Sequence, residues 1–232
     1  CEMTGYDGSE AQHQAIRNLA SLPIDFTCSM VITPENVQYF CESVQIAHDN
    51  GAKQFSFTFI IDNDGAEEKD LAYLQKHDPV KLVSGFISQI DKLSAITDDW
   101  WVEYSFPMCV YTEEQLKLLK GRLATPCQIH LKNAVTFNTK MELLPCDMYI
   151  YQQLGKFGRD FSSYQGFLSL TESANYNKTM DEIRKLPSDE CTACEHFSVC
   201  YGGCPVLWKN YSFAALKEFK AKGPLNSGFS GE

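Results

Sequence analysis

The 232 residues suffice for one large domain or two small ones, and with 44% apolar residues the chain can bury a core. Twenty basic against thirty acidic residues leave a net charge of −10, which argues against a binder of nucleic-acid backbones. No apolar run approaches the ~20 residues of a membrane helix, so neither nucleic acid nor membrane is expected as a partner.

The chain begins with Cys1 rather than Met, which reads as a processed product or a fragment, with any targeting segment upstream of it. Residues 8–20 read as a helix, with Asp7 or Ser9 as its cap and Ala15, Ile16 and Leu19 as an apolar stripe. Pro23 ends it. Residues 24–33 are β-rich and read as a mostly buried strand. Thr33, Pro34 and Glu35 supply a capping hydroxyl, a proline for the first helical position and an acid. They predict a helix that carries Val37, Phe40, Cys41, Val44 and Ala47 on one face and stops at Asn50-Gly51. Residues 54–61 read as the next strand and 62–65 as a turn. Asp78-Pro79 opens a helix through about Ile96, residues 100–106 form a third strand, and 112–121 a short helix with Glu113 and Glu114 in its first turn.

Strand alternating with helix at this spacing predicts an α/β fold with a parallel sheet. A helix-rich fold with a small antiparallel sheet is the runner-up. The character changes across residues 107–126. Residues 128–137 and 142–144 then read as a hairpin turning near Asn138-Thr139-Lys140. Short helical pieces lead to Pro187, and a final helix spans about Phe213 to Lys222.

Ten cysteines are present, four of them within fourteen residues: Cys191, Cys194, Cys200 and Cys204, in the pattern C-x2-C-x5-C-x3-C. Disulfide scaffolds belong to short secreted chains with little core, so clustered thiols in a chain with ample core read as metal ligands in a reducing compartment. Thiolates suit both iron–sulfur clusters and zinc. The five-residue gap and the further cysteines upstream fit iron–sulfur better. Gly202-Gly203 before the last cysteine lets backbone come close to a cluster, with N–H groups for its sulfurs. Cys28, in a strand, and Cys41, on an apolar helix face, read as core.

These residues resemble the SPASM domain of radical S-adenosylmethionine (radical SAM) enzymes. The resemblance is carried by the C-x2-C-x5-C-x3-C pattern with Gly-Gly-Cys inside it, by the upstream Cys127 and Pro145-Cys146-Asp147, and by Leu154-Gly155-Lys156. It covers about a third of the chain, Cys127 to Trp208. The N-terminal half is similar to the later strands and helices of a radical SAM barrel, through Tyr6-Asp7-Gly8 and Thr33-Pro34-Glu35-Asn36. The family often has a glycine five residues before the second upstream cysteine; here that place holds Met141.

The resemblance implies a partial (β/α) barrel over residues 1–110 and a small cysteine-rich α+β SPASM/twitch-like domain over 111–232. It implies [4Fe–4S] clusters: an outer one on Cys191, Cys194 and Cys200, and an inner one on Cys127, Cys146 and Cys204. Cys109 is the nearest candidate in sequence order for the inner cluster's fourth ligand. The outer cluster's fourth ligand would lie downstream, where this chain has no cysteine. Asp147 is a candidate general base, against the plainer reading of a turn acid bonded to nearby backbone.

The family's C-x3-C-x2-C loop, whose cluster cleaves S-adenosylmethionine, has no match in these 232 residues. The chain therefore reads as the later part of a cytoplasmic, anaerobic enzyme that modifies a peptide or protein side chain with a reductant such as flavodoxin or ferredoxin. The alternatives are a zinc-stapled interaction module, or an electron-transfer iron–sulfur protein without radical chemistry.

Overall fold

The computed structural model describes residues 7–61, 78–103, 106–124, 127–210 and 212–222. Two compact units divide the chain. The described residues of 7–60, 80–103 and 111–124 make the first, and those of 106–110 and from 127 onward belong to the second. The short stretch 106–110 is thus contributed to the second unit ahead of the last elements of the first. Among the described residues no helix is long and apolar enough to cross a membrane.

The first unit runs α1 (Ser9–Ala20), β1 (Thr27–Ile32), α2 (Phe40–Asp49), β2 (Gln54–Phe59), α3 (Pro79–Ile87), α4 (Ile90–Ile96), β3 (Trp100–Glu103), α5 (Glu113–Leu118) and β4 (Leu123–Ala124). Its four strands lie in the order β1-β2-β3-β4, all parallel. Strand side chains alternate between faces, and here the alternation separates two chemistries. Phe55, Phe57, Phe59, Trp100 and Val102 are buried on one face. Phe57 meets Phe40 of α2 edge-on at 5.4 Å and Phe86 of α3 at 5.4 Å, while Phe40 stacks on Phe86 at 5.0 Å. On the other face the row Ser29, Ser56 and Trp101 runs across three strands. Ser29 and Ser56 share a 2.6 Å hydrogen bond, and Trp101 Nε1 donates to Glu103 at 3.0 Å.

Several expectations are corrected. Strand β1 is only half-buried, with Ile32 alone fully covered, because among the described residues it pairs on one side only. The apolar stripe of α1 has no buried residue. Helix α2 begins at Phe40 rather than Pro34. The Asn36 side chain accepts from Thr33 N–H at 2.9 Å and donates to the Val31 carbonyl at 2.8 Å, which holds residues 33–39 as turns. The helix expected over 78–96 is two, parted at Ser88-Gln89. Thr112 does cap its helix, with Gln115 returning the bond in a capping box. Tyr6, Cys1, Tyr104 and the turn expected at 62–65 lie outside the described residues.

The second unit opens with a 3-10 turn, Met108–Val110, followed by α6 (Gln128–Leu131), β5 (Thr136–Phe137), β6 (Glu142–Leu144), β7 (Gly155–Lys156), α7 (Tyr164–Glu172) and α8 (Ala174–Ile183). A second 3-10 turn, Asp189–Ala193, leads to α9 (Phe197–Cys200), α10 (Leu207–Asn210) and α11 (Phe213–Lys222). Strands β5, β6 and β7 form a small antiparallel sheet. The strand expected from residue 128 starts only at Thr136, because Cys127 opens one helical turn and Lys132, at φ 55°, ends it. The hairpin turns where expected, with Asn138 Oδ1 accepting from Lys140 and Glu142 N–H at 2.9 and 3.0 Å. Met141 sits there at φ 58°, the left-handed conformation that glycine adopts without cost. One apolar centre gathers Ile129, Tyr149, Met180 and Val206, with Cys127, Cys146 and Cys204 packed against it.

Candidate metal centre

All seven cysteines named as candidate ligands fall in the second unit, and the fold sorts them into two sets. Cys109, Cys191, Cys194 and Cys200 line one cavity of about 470 Å³, a size within the ~300–1,000 Å³ of small-molecule and cofactor sites. Cys127, Cys146 and Cys204 surround the apolar centre. Cys28 and Cys41 belong to the first unit, where Cys41 is buried and its thiol donates to the Gln89 carbonyl at 3.6 Å.

A single local device recurs through both sets. Six of the cysteines open a turn in which the N–H three residues on donates to the cysteine carbonyl. The donors are His130 to Cys127, Tyr149 to Cys146, Cys194 to Cys191, Phe197 to Cys194, Gly203 to Cys200 and Leu207 to Cys204, at 2.8–3.2 Å. In the three-cysteine set the turn also aims two backbone N–H groups at each sulfur. They come from Ile129 and His130 at Cys127, from Met148 and Tyr149 at Cys146, and from Val206 and Leu207 at Cys204. Such N–H pairs favour the thiolate, as they favour any anion at the start of a helical turn.

Burial and mutual repulsion push the other way. Burial first, then the neighbouring Cys127 and Cys146, takes Cys204 up to about 12. Burial, with Asp147 and Cys127 adding to it, takes Cys146 up to about 11. In the other set Cys109 is exposed as a residue, yet its thiol is pushed up to about 11 by burial and then by Cys200 and Cys191. Burial, followed among its neighbours by Cys200 and Cys194, raises Cys191 as well. Thiols kept from ionising by burial first, and by neighbouring thiols after it, are deprotonated by a bound cation, which reverses the local balance.

The chain between Cys200 and Cys204 is unusual in its backbone. Tyr201, Gly202 and Gly203 are all left-handed, at φ 49°, 84° and 79°. This reversal points Cys200 toward one set and Cys204 toward the other. Gly203 N–H goes to the Cys200 carbonyl at 2.8 Å rather than to a sulfur. Trp208 Nε1 donates to the Gly202 carbonyl at 2.5 Å, and the His130 ring, whose pKa burial lowers, donates to the backbone of Gly203. His196 lines the cavity of the four-cysteine set. Asp147 is exposed, and its charge reaches both Cys127 and Cys146.

Sequence order paired Cys109 with Cys127, Cys146 and Cys204. The structure places it with Cys191, Cys194 and Cys200 instead, because the 106–110 stretch lies against the Cys200–Cys204 loop. No signal in the sequence marked this partner, since the two stretches lie about ninety residues apart.

No protein-family model matches the chain, and no curated protein does. Among solved structures the chain is similar to SuiB of Streptococcus suis, determined with bound S-adenosylmethionine, at a TM-score of 0.48 and 14% identity. The match covers 90% of this chain and 48% of that one, so the chain spans about half the length of SuiB.

Proposed function

We propose that this chain provides two auxiliary iron–sulfur sites to an enzyme of radical SAM type that modifies a peptide or protein side chain. The observation that carries the reading is the sorting of seven cysteines into two thiol sets within one unit. Soft thiolates in sets of four and three suit iron–sulfur clusters. When bound, [4Fe–4S] clusters would supply one-electron transfer at these sites. The protein's part is to hold the thiolates with paired backbone N–H groups and to surround them with Ile129, Tyr149, Met180 and Val206, which limits water. Asp147, exposed beside Cys146, stands where it can take a proton from a substrate carbon at the three-cysteine site. Cleavage of S-adenosylmethionine is assigned to no residue of this chain.

A second reading, a structural zinc staple, matches the four-cysteine set in number of thiols alone, since closed zinc sites use four tetrahedral ligands. It leaves the three-cysteine set without a purpose. Iron, sulfide and zinc content after anaerobic reconstitution separates the two. The expected result is about eight iron and eight sulfide per chain, with the broad visible absorption of thiolate-bound clusters. Zinc at about one per chain, with no iron, overturns the cluster reading. For Asp147, Asp147→Asn keeps the full iron content and, carried in an enzyme that also supplies the S-adenosylmethionine-cleaving loop, lowers turnover of a peptide substrate by roughly 100-fold or more. Unchanged turnover removes the residue from the chemistry.

A further inference from the structure

We infer that Cys109 is the fourth thiolate of the site built by Cys191, Cys194 and Cys200, which closes that site and leaves Cys127, Cys146 and Cys204 as a separate site of three thiolates. The inference rests on the cluster reading above and adds a ligand that comes from upstream of the cysteine loop rather than from downstream of it.

Two fastenings bring the 106–110 stretch to that loop, and a third ties it to α11. Met108 N–H donates to Cys200 Sγ at 3.4 Å across 92 residues of sequence. A Cβ at Gly203 would lie 2.9 Å from Pro107 Cγ and 3.1 Å from Pro107 Cα, so glycine is what allows the two backbones to approach. Lys220 of α11 donates to the Cys109 carbonyl. Pro107 N-terminal to the turn and the Val110 N–H bonded back to its carbonyl at 2.9 Å fix the turn that carries Cys109. With the turn held this way, Cys109 shares the cavity wall with the three other thiols. A lone exposed cysteine would need none of this. A ligand must be held against a partner from a distant part of the chain, and each fastening does that.

The test compares the reconstituted chain with C109A, C191A and C146A and with the doubles C109A/C191A and C109A/C146A. The readouts are iron and sulfide content and the low-temperature EPR spectrum after reduction. C109A and C191A are expected to lose up to about half the iron and to alter the same EPR signal, the double of these two being no worse than C191A. C109A/C146A is expected to alter both signals. Wild-type iron and unchanged spectra in C109A overturn the inference, as does a change in the signal that C146A alters.

If wild type takes up zinc in place of iron, the cluster reading fails on its own. The ligand inference is then decided on zinc: C109A losing the zinc that C191A loses upholds it, and C109A keeping that zinc overturns it. Should C109A misfold by circular dichroism, alkylation of wild type decides. Cys109 labelled in the metal-free chain and protected after loading supports the inference; equal labelling in both overturns it.

Discussion

The two units are built on different physical terms. In the first, an aromatic cluster around Phe40, Phe57, Phe86 and Trp100 fills the space between a parallel sheet and its helices. In the second, one cluster of four buried apolar residues has three thiols packed against it, beside further buried side chains such as Leu143, Leu144, Phe161 and Leu207. Burial of aromatic area, worth ~1.5–3 kcal/mol for each large side chain, suffices to hold the first. The second packs three thiols against one of its apolar clusters, and burial makes Cys146 and Cys204 reluctant to ionise without a cation beside them. On the proposed function its stability is linked to the clusters it would bind, as in small domains whose binding free energy is also folding free energy.

Removal of the metal sharpens this contrast most. Chelation of the reconstituted chain is expected to abolish the second unit's thermal transition while the first unit's midpoint stays within roughly 2 °C. Calorimetry checks it, and loss of both transitions together would break the comparison. Next in size is Phe57→Ala. Phe57 is fully buried among three rings, so its truncation should cost ~3–5 kcal/mol in the first unit and leave iron content unchanged.

Gly203→Ala forces a side chain into left-handed backbone against Pro107. It should cost ~1–3 kcal/mol in the second unit and lower iron loading, measured by denaturation and metal analysis. The smallest effect has the opposite sign. Met141→Gly relieves a left-handed residue at the hairpin and should stabilise the second unit by ~1 kcal/mol, read as a rise in its denaturation midpoint.

The same contrast decides what could be read from the sequence. Strands β1, β2 and β3 were legible because runs such as residues 54–59 alternate or saturate with apolar residues. Strand β4 and strand β7, two residues each, leave no periodic signal. The late start of α2 depends on the Asn36 side chain, whose bonds to Thr33 and Val31 reach back across a turn. In the second unit the candidate ligands were legible by residue type and spacing. Their sorting was not, because Cys109 meets its partners through a backbone approach at Gly203 and Pro107 that no local pattern encodes. The strand expected at 128–131 became helical for a related reason: Cys127 opens a turn that orients its thiol, and this need overrides the β propensity of the residues that follow.

The bond from Met108 to Cys200 spans 92 residues, and that separation has a meaning on the ribosome. At ~5–20 residues per second, Cys109 is made roughly 5–20 s before Cys200. During this interval the four-thiol wall does not exist, and Cys109 waits as an exposed sulfhydryl open to oxidation. A cell that makes this protein must keep the nascent chain reduced for that long.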